Sequence, residues 1–326
     1  MQSSLESNLI CFSFSEIKRA TNNFSDQNCL KQGRHGKVYF GNICDNGYNG
    51  VVIVKRYDKE KVSSIHMLRK EIDVLSPIHH DNINSIVGYS DEKDEKILVY
   101  EFMSNGSLHD YLFKDKNDQT RWLTVENRLA ICIGIAKGLN YLHVDNNIIH
   151  GCVNSDNIFL DANLVAKISD FPLIRSLVGG SLSIPQQITG ANGYLAPECY
   201  EHNYQLSKEA DVYAFGVVLL EVLCEKPAWK SLIVLALPFT MKRELPLCTP
   251  EQVKTNISPK CSSACTNLIM DCLDIDPNKR PSMATVIDKL LLALESAKQQ
   301  GGFTDPLDGI KARPHDRMDY CSMSPD

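Results

Sequence analysis

The feature that most constrains what this 326-residue chain can fold into is a change of hydrophobic period at the turn signal Asn105-Gly106. Upstream, from Leu30 to Tyr57, the text is strand-like: Val38-Tyr39-Phe40 and Val51-Val52-Ile53-Val54 are divided by the turn-rich Asn46-Gly47-Tyr48-Asn49-Gly50. Ile65, Leu68, Ile72 and Leu75 give one helix between Ser63 and Leu75, and two more strands run through Ile83 to Tyr89 and Lys96 to Tyr100. Downstream, Leu129, Cys132, Ile133, Ala136, Leu139 and Leu142 form a helical apolar stripe, and Ala210 to Leu223 and Met283 to Leu294 repeat that style. Strands gathered in one half and helices in the other predict an α+β fold of two lobes, a strand-rich one with a single main helix and a mainly helical one. The expected division is a lead-in segment at 1–25, the strand-rich lobe at 26–103, the helical lobe at 104–297 and a flexible tail at 298–326. Within the lead-in, Ser13-Phe14-Ser15-Glu16 is a capping box that starts a short helix from Phe14 to about Asn22. The tail is rich in Gly, Pro and charge and has no periodicity, and no internal repeat is present.

Composition narrows the class. With 43% hydrophobic residues the chain can bury a large core, and 40 acidic against 34 basic residues argue against a nucleic-acid binder. The apolar run Leu232 to Leu237 is far below the roughly 18 residues a membrane helix needs, so no transmembrane segment is expected. Met1-Gln2 is not a myristoylation start, and no charged-then-apolar leader follows, which gives a cytoplasmic address. Twelve cysteines are scattered without a C-x-x-C pair and read as reduced thiols; Cys261, Cys265 and Cys272 fall at the spacing of one buried helix face.

The chemistry-bearing motifs come in a fixed order. Lys31-Gln32-Gly33-Arg34-His35-Gly36-Lys37-Val38 lies between strand candidates, where glycines let backbone amides approach phosphate oxygens; alone it reads equally as an ordinary hairpin. Then follow Val52-Ile53-Val54-Lys55, the helix carrying Glu71, and Tyr100-Glu101-Phe102-Met103. After these come His150-Gly151-Cys152-Val153-Asn154-Ser155-Asp156-Asn157, Asp170-Phe171-Pro172, Ala196-Pro197-Glu198, Asp211-Val212-Tyr213-Ala214-Phe215-Gly216 and Arg280. Together they resemble the catalytic core of protein kinases. With Phe12-Ser13-Phe14-Ser15-Glu16-Ile17, the run Ile131 to Leu139 and Arg280-Pro281-Ser282-Met283, the chain looks like plant receptor-like kinases, most nearly the FERONIA-like group, over residues 12 to 297.

The resemblance implies ATP and magnesium as cofactors and assigns roles. Gly33, Gly36 and Val38 would cover the nucleotide, Lys55 held by Glu71 would pair its phosphates, and Asn157 and Asp170 would hold metal. Tyr100 would be the gatekeeper, Glu101 and Met103 would present backbone groups to an adenine edge, and Ile53 and Phe159 would sandwich the base. Leu75, His150 and Phe171 would stack as an apolar spine, and Arg280 would pair with Glu198. His79 and His80 read as structural.

Several positions depart from the family pattern. Cys152 stands where the catalytic Asp accepts the substrate proton; a free thiol titrates near pH 8.5, and sulfur is a poorer acceptor than a carboxylate oxygen. Asn154 replaces the lysine that touches the transferred phosphate, Gly151 the arginine that docks a phosphorylated segment, Pro172 the glycine after Asp-Phe, and Ala191 a hydroxyl residue that seats a Ser/Thr substrate. Ile53 and Phe159 are larger than the usual Ala and Leu, which leaves nucleotide binding weakened or lost. The expected function is a pseudokinase of the plant receptor-like Ser/Thr kinase family, acting as scaffold or allosteric partner. The alternatives are an active, slow Ser/Thr kinase and a decoy that mimics a kinase. By family analogy the partners are kinases or membrane receptors, and the chain is cytoplasmic or peripheral at the inner face of the plasma membrane, where Cys11 offers an acylation point.

Overall fold

A computed structural model of the chain describes residues 9–33, 36–45, 47–59, 68, 71–92, 94–114, 123–169, 175–176, 193–201, 207–225, 227 and 258–299. Residues 300–326 of the expected tail, Asp170-Phe171-Pro172, Arg34, His35 and Ala191 lie outside those residues, whereas Lys298, counted in the expected tail, is the last residue of a helix.

Strands β1 (Ile10–Cys11), β2 (Cys29–Gly33), β3 (Gly36–Asp45), β4 (Tyr48–Tyr57), β5 (Ile86–Ser90) and β6 (Ile97–Glu101) form one six-stranded sheet in the order β1-β5-β6-β4-β3-β2. Helix α1 (Phe14–Ala20) begins on the expected capping box: the Ser13 hydroxyl accepts from the Glu16 amide, and the Glu16 carboxylate accepts from the Ser13 amide at 2.6 Å. The helix stops two residues before the expected end because Asn22, Asn23 and Phe24 all adopt left-handed backbone (φ 49°, 57° and 54°), which a right-handed helix cannot continue. The β3–β4 turn is also tighter than the sequence reading. Asp45 pairs with Tyr48, so two residues separate the paired strands, and Gly47 takes a positive φ (79°) of the kind short hairpin connections use. Tyr48 to Gly50 are strand, not turn.

Alternation along β4 sorts the lobe into two faces. Val52 and Val54 are buried with Phe12, Ile17, Tyr39, Ile43, Ile97 and Val99 under α1, while Ile53, Lys55 and Tyr57 point to the opposite face. Residues 71–75, here α2, are helical and carry Glu71 to that second face.

The helical lobe contains α3 (Leu108–Phe113), α4 (Val125–Asn140), α5 (Lys208–Cys224), α6 (Pro259–Cys272) and α7 (Met283–Lys298). Helix α4 is buried nearly all round rather than along a single stripe, and it packs on both α5 and α7. It runs directly into a π-helical turn, Tyr141–Asp145. Helix α5 is likewise surrounded, and Cys261, Cys265 and Cys272 are all buried on one face of α6, as their spacing predicts. Short strands β7 (Ile148–Ile149), β8 (Ile158–Leu160), β9 (Ala166–Ile168) and β10 (Arg175–Ser176) pair as β7–β10 and β8–β9. One continuous core joins the lobes, from Leu98 and Tyr100 in the sheet through Leu139 to Phe215.

Candidate functional site

Two clusters of polar side chains carry the sequence-predicted positions, one in each lobe. In the strand-rich lobe, the Lys55 ammonium donates to both oxygens of Glu71, at 3.0 and 3.2 Å. Glu71 is only 3% exposed, a severe position for a carboxylate unless its oxygens are well supplied with donors. The supply comes from two further hydroxyls: Tyr100 donates to Oε1 and Tyr57 to Oε2. Burial pushes both tyrosines well above the ordinary phenol value, so both remain donors. Val38 lies opposite Lys55 in the β3–β4 register, and Ile53 lies opposite Tyr100 in the β4–β6 register.

Gly33 and Gly36 pair across β2 and β3. At Gly36 the backbone has φ 150°, and a Cβ would sit 2.1 Å from the Arg56 carbonyl oxygen. The close approach of β4 therefore demands a glycine there whatever the strand also serves. The linker after β6 folds back at once: the Met103 carbonyl accepts from the Gly106 amide at 3.0 Å, and the Glu101 amide donates to Ser85. Glu101 also faces Lys167 at 3.8 Å. Phe159 on β8 is half-buried and bridges to Ser107 just beyond that linker.

In the helical lobe, the segment from His150 to Asn157 hangs from one buried carboxylate. Asp211, 1% exposed on α5, accepts from the His150 amide, from the Gly151 amide and from His143 Nε2, each at 2.8 Å. Gly151 adopts φ 72°, a conformation that suits glycine and strains the residue it replaces in the family pattern. The Cys152 amide donates to His150 Nδ1 at 3.2 Å, which assigns the acceptor side of that ring. Around Cys152 the two asparagines close the loop on itself. Asn154 Nδ2 donates to the Cys152 carbonyl at 3.0 Å and approaches its Sγ at 3.6 Å; Asn157 Nδ2 does the same at 2.9 and 3.4 Å. Asn154 Oδ1 in turn accepts from the Asn157 amide, so the Asn154 side chain caps the turn Ser155–Asn157 and faces inward. With its nitrogen committed to Cys152, Asn157 keeps its oxygen as the atom that a hard cation would meet. The other metal position, Asp170, follows Ser169, whose amide donates to the Asn157 carbonyl at 2.9 Å.

Neighbouring polar groups brace this loop. Ser155 and Tyr194 share a hydrogen bond of 2.9 Å, and Tyr194 donates to the fully buried Glu221 at 2.6 Å. A small cleft lined by Gly151, Cys152, Asn154, Tyr194, Cys199 and Asp211 lies beside it. The pair expected between Arg280 and Glu198 is present and bidentate, at 2.5 and 2.7 Å. Leu75 and His150 are both buried, and His80 stacks on Tyr141 with its Nδ1 accepting from the Asn82 amide. Burial lowers the His80 pKa, in keeping with a structural ring.

Sequence reading missed three participants. Tyr57 lies two residues after Lys55, so strand alternation alone places it on the lysine's face. Asp211 stands out only within its motif, and its role as the loop's anchor needs the fold. Arg128, fully buried and bonded to Leu123, Val222 and Glu225, gives no signal at all in a polar-looking stretch of α4.

Residues 24–290 match the protein tyrosine and serine/threonine kinase family. Among individual proteins of Arabidopsis thaliana, the chain is 40% identical to receptor-like protein kinase FERONIA over 316 residues, which is 92% of this chain and 34% of that protein. It is 37% identical to receptor-like protein kinase THESEUS 1 over 334 residues, 96% of this chain and 38% of that protein. It is also 37% identical to receptor-like protein kinase ANXUR2 over 304 residues, 89% of this chain and 34% of that protein. The chain thus spans about a third of the length of these relatives. Among its described residues no helix is long and apolar enough to cross a membrane.

Proposed function

The chain belongs to the protein tyrosine and serine/threonine kinase family, and from that premise we propose that it is a pseudokinase module, signalling through protein partners rather than by transferring phosphate. The observation that carries the reading is the self-contained loop at Cys152. Where a phosphotransferase needs a carboxylate to take the acceptor's proton and a cation to steady the departing charge, this loop offers a thiol and an inward-turned amide. Loss of a positioned base alone costs roughly 10²–10⁴ in rate, or about 3–5 kcal/mol of barrier, and loss of the cation compounds it.

The nucleotide-facing half is in better order. Lys55 and Glu71 are paired, and Asn157 presents an oxygen of the type magnesium prefers. These residues fit a nucleotide with its metal: Lys55 would meet phosphate oxygens, and Asn157, joined by Asp170, would hold the ion. When bound, the metal would neutralise phosphate charge. Ile53 and Phe159 oppose tight binding, at a cost of about 1–3 kcal/mol for the larger side chains. The proposed module therefore keeps a weak nucleotide site with a disabled transfer step. Its partners are other kinases or membrane receptors, in line with the receptor-like kinases it is similar to, and it works on the cytoplasmic side.

Incubation of the purified chain with radioactive ATP, magnesium and a generic protein acceptor tests the reading. No transfer is expected from the wild type, and a large gain is expected from Cys152→Asp with Asn154→Lys and Pro172→Gly. Magnesium-dependent labelling by the wild type that Lys55→Met abolishes would overturn it in favour of a working kinase. A thermal-shift titration with ATP, with and without magnesium, tests the nucleotide site separately.

A further inference from the structure

Glu71 has more donors than the lysine pairing needs. Tyr57 reaches it from the same face of β4 as Lys55: its hydroxyl donates to Glu71 Oε2, and its ring centroid lies 5.2 Å from the Lys55 ammonium. It therefore touches both halves of the pair, and at 2% exposure it has no solvent-facing role. Tyr100 covers the other carboxylate oxygen from β6. If the Lys55 ammonium turned away towards a phosphate, the buried carboxylate would still have a hydroxyl on each oxygen. Glu71 thus has a hydroxyl donor on each oxygen besides the lysine.

We propose that Tyr57 is a positioning residue: its hydroxyl, together with that of Tyr100, latches Glu71 and α2 against the sheet, so that the cleft is arranged before any nucleotide arrives and Lys55 is released to a ligand without loss of the helix. The proposal rests on the weak nucleotide site argued above. Its test is made on the chain without nucleotide, so the latch can fail while the site stands, and the reverse.

Amide hydrogen exchange over residues 71–75 reads the latch, with α5 as the internal reference. Tyr57→Phe removes the hydroxyl and keeps the ring, so a role in packing alone would leave exchange unchanged. The latch predicts about tenfold faster exchange in α2 for Tyr57→Phe, a further increase for Tyr57→Phe with Tyr100→Phe, and no change in α5. Lys55→Met is expected to keep α2 within about twofold of wild type. Wild-type exchange in Tyr57→Phe would overturn the proposal, as would an α2 released as fully by Lys55→Met as by Tyr57→Phe. Should Tyr57→Phe fail to fold, Tyr100→Phe against Lys55→Met decides the same question: faster exchange than Lys55→Met upholds the latch, and equal or slower exchange rejects it.

Discussion

Gly88 on β5 offers the sharpest test of how the first residues join the sheet. Strand β1 runs parallel to β5 with Ile10 opposite Gly88, so tightly that a Cβ at Gly88 would sit 2.1 Å from the Ile10 carbonyl oxygen and 2.7 Å from the Phe12 ring. Neither contact can be relieved by a flexible side-chain end, so Gly88→Ala must expel the segment. What is lost can be worked through. Burial of Phe12, which is 0% exposed, contributes about 3 kcal/mol, and its amide bond to the Tyr89 carbonyl, 2.9 Å long, about 1 kcal/mol. The released residues regain conformational freedom, which offsets part of this and leaves a net loss of about 2 kcal/mol. For a fold of this size that lowers Tm by about 4 °C. Circular dichroism melts should therefore show that drop in the full chain, but a shift of less than about 1 °C when the same substitution is made in a chain starting at Ser13. The reasoning fails if Gly88→Ala lowers Tm equally in both backgrounds, because the clash would then lie elsewhere in the sheet.

Arg280→Met should strand the Glu198 carboxylate, which is buried and loses both short bonds, and cost about 3–5 kcal/mol in chemical denaturation. Glu95 predicts a pH dependence: burial raises its pKa, but hydrogen bonds and charge from Arg56 and Lys59 outweigh this and leave it lowered. A lowered folded-state value means that its stabilising contribution is present above the ordinary carboxylate range and is lost as pH falls through the folded value. Glu95→Gln should therefore cost about 1 kcal/mol at pH 7, after allowance for the exposed Lys59 and half-buried Arg56, and progressively less as pH falls through the folded value. Thermal melts as a function of pH check it. Asn154→Lys alone should leave phosphate transfer absent, since the proton acceptor is still missing; measurable transfer by this single variant would assign the defect to the cation instead.

The lobes and the order of their elements were legible because the hydrophobic period changes cleanly at Asn105-Gly106 and because the strands of the first lobe are bounded by turn residues. The pairing of Arg280 with Glu198 was legible only through the resemblance to kinases, which assigns those two positions to each other. Other features were not, for identifiable reasons. Strand β1 has two residues, too few for any alternation to register, and its place is set by the notch at Gly88 rather than by propensity. The expected strand start at Ile83 gives way to an isolated bridge to Ile168, with Asn84 bonded into the same contact, so the ladder proper begins at Ile86. The glycine at position 36 reads as a phosphate-loop residue, yet backbone crowding against Arg56 already demands it. The inward turn of Asn154 depends on side-chain rotamers that no spacing rule encodes.

The π-helical turn at Tyr141–Asp145 bears on how this lobe tolerates insertion and deletion. Such a turn holds one more residue than an α-helical path of the same rise. Removing any one residue there would let the helix straighten, and would swing His143 by about 100° around the axis. His143 would leave Asp211, and its carbonyl would leave the Lys208 ammonium that meets it at 2.5 Å. Chain length in this stretch is thus as strictly set as side-chain identity: a shortened variant with every named residue intact would still present the His150–Asn157 loop out of phase.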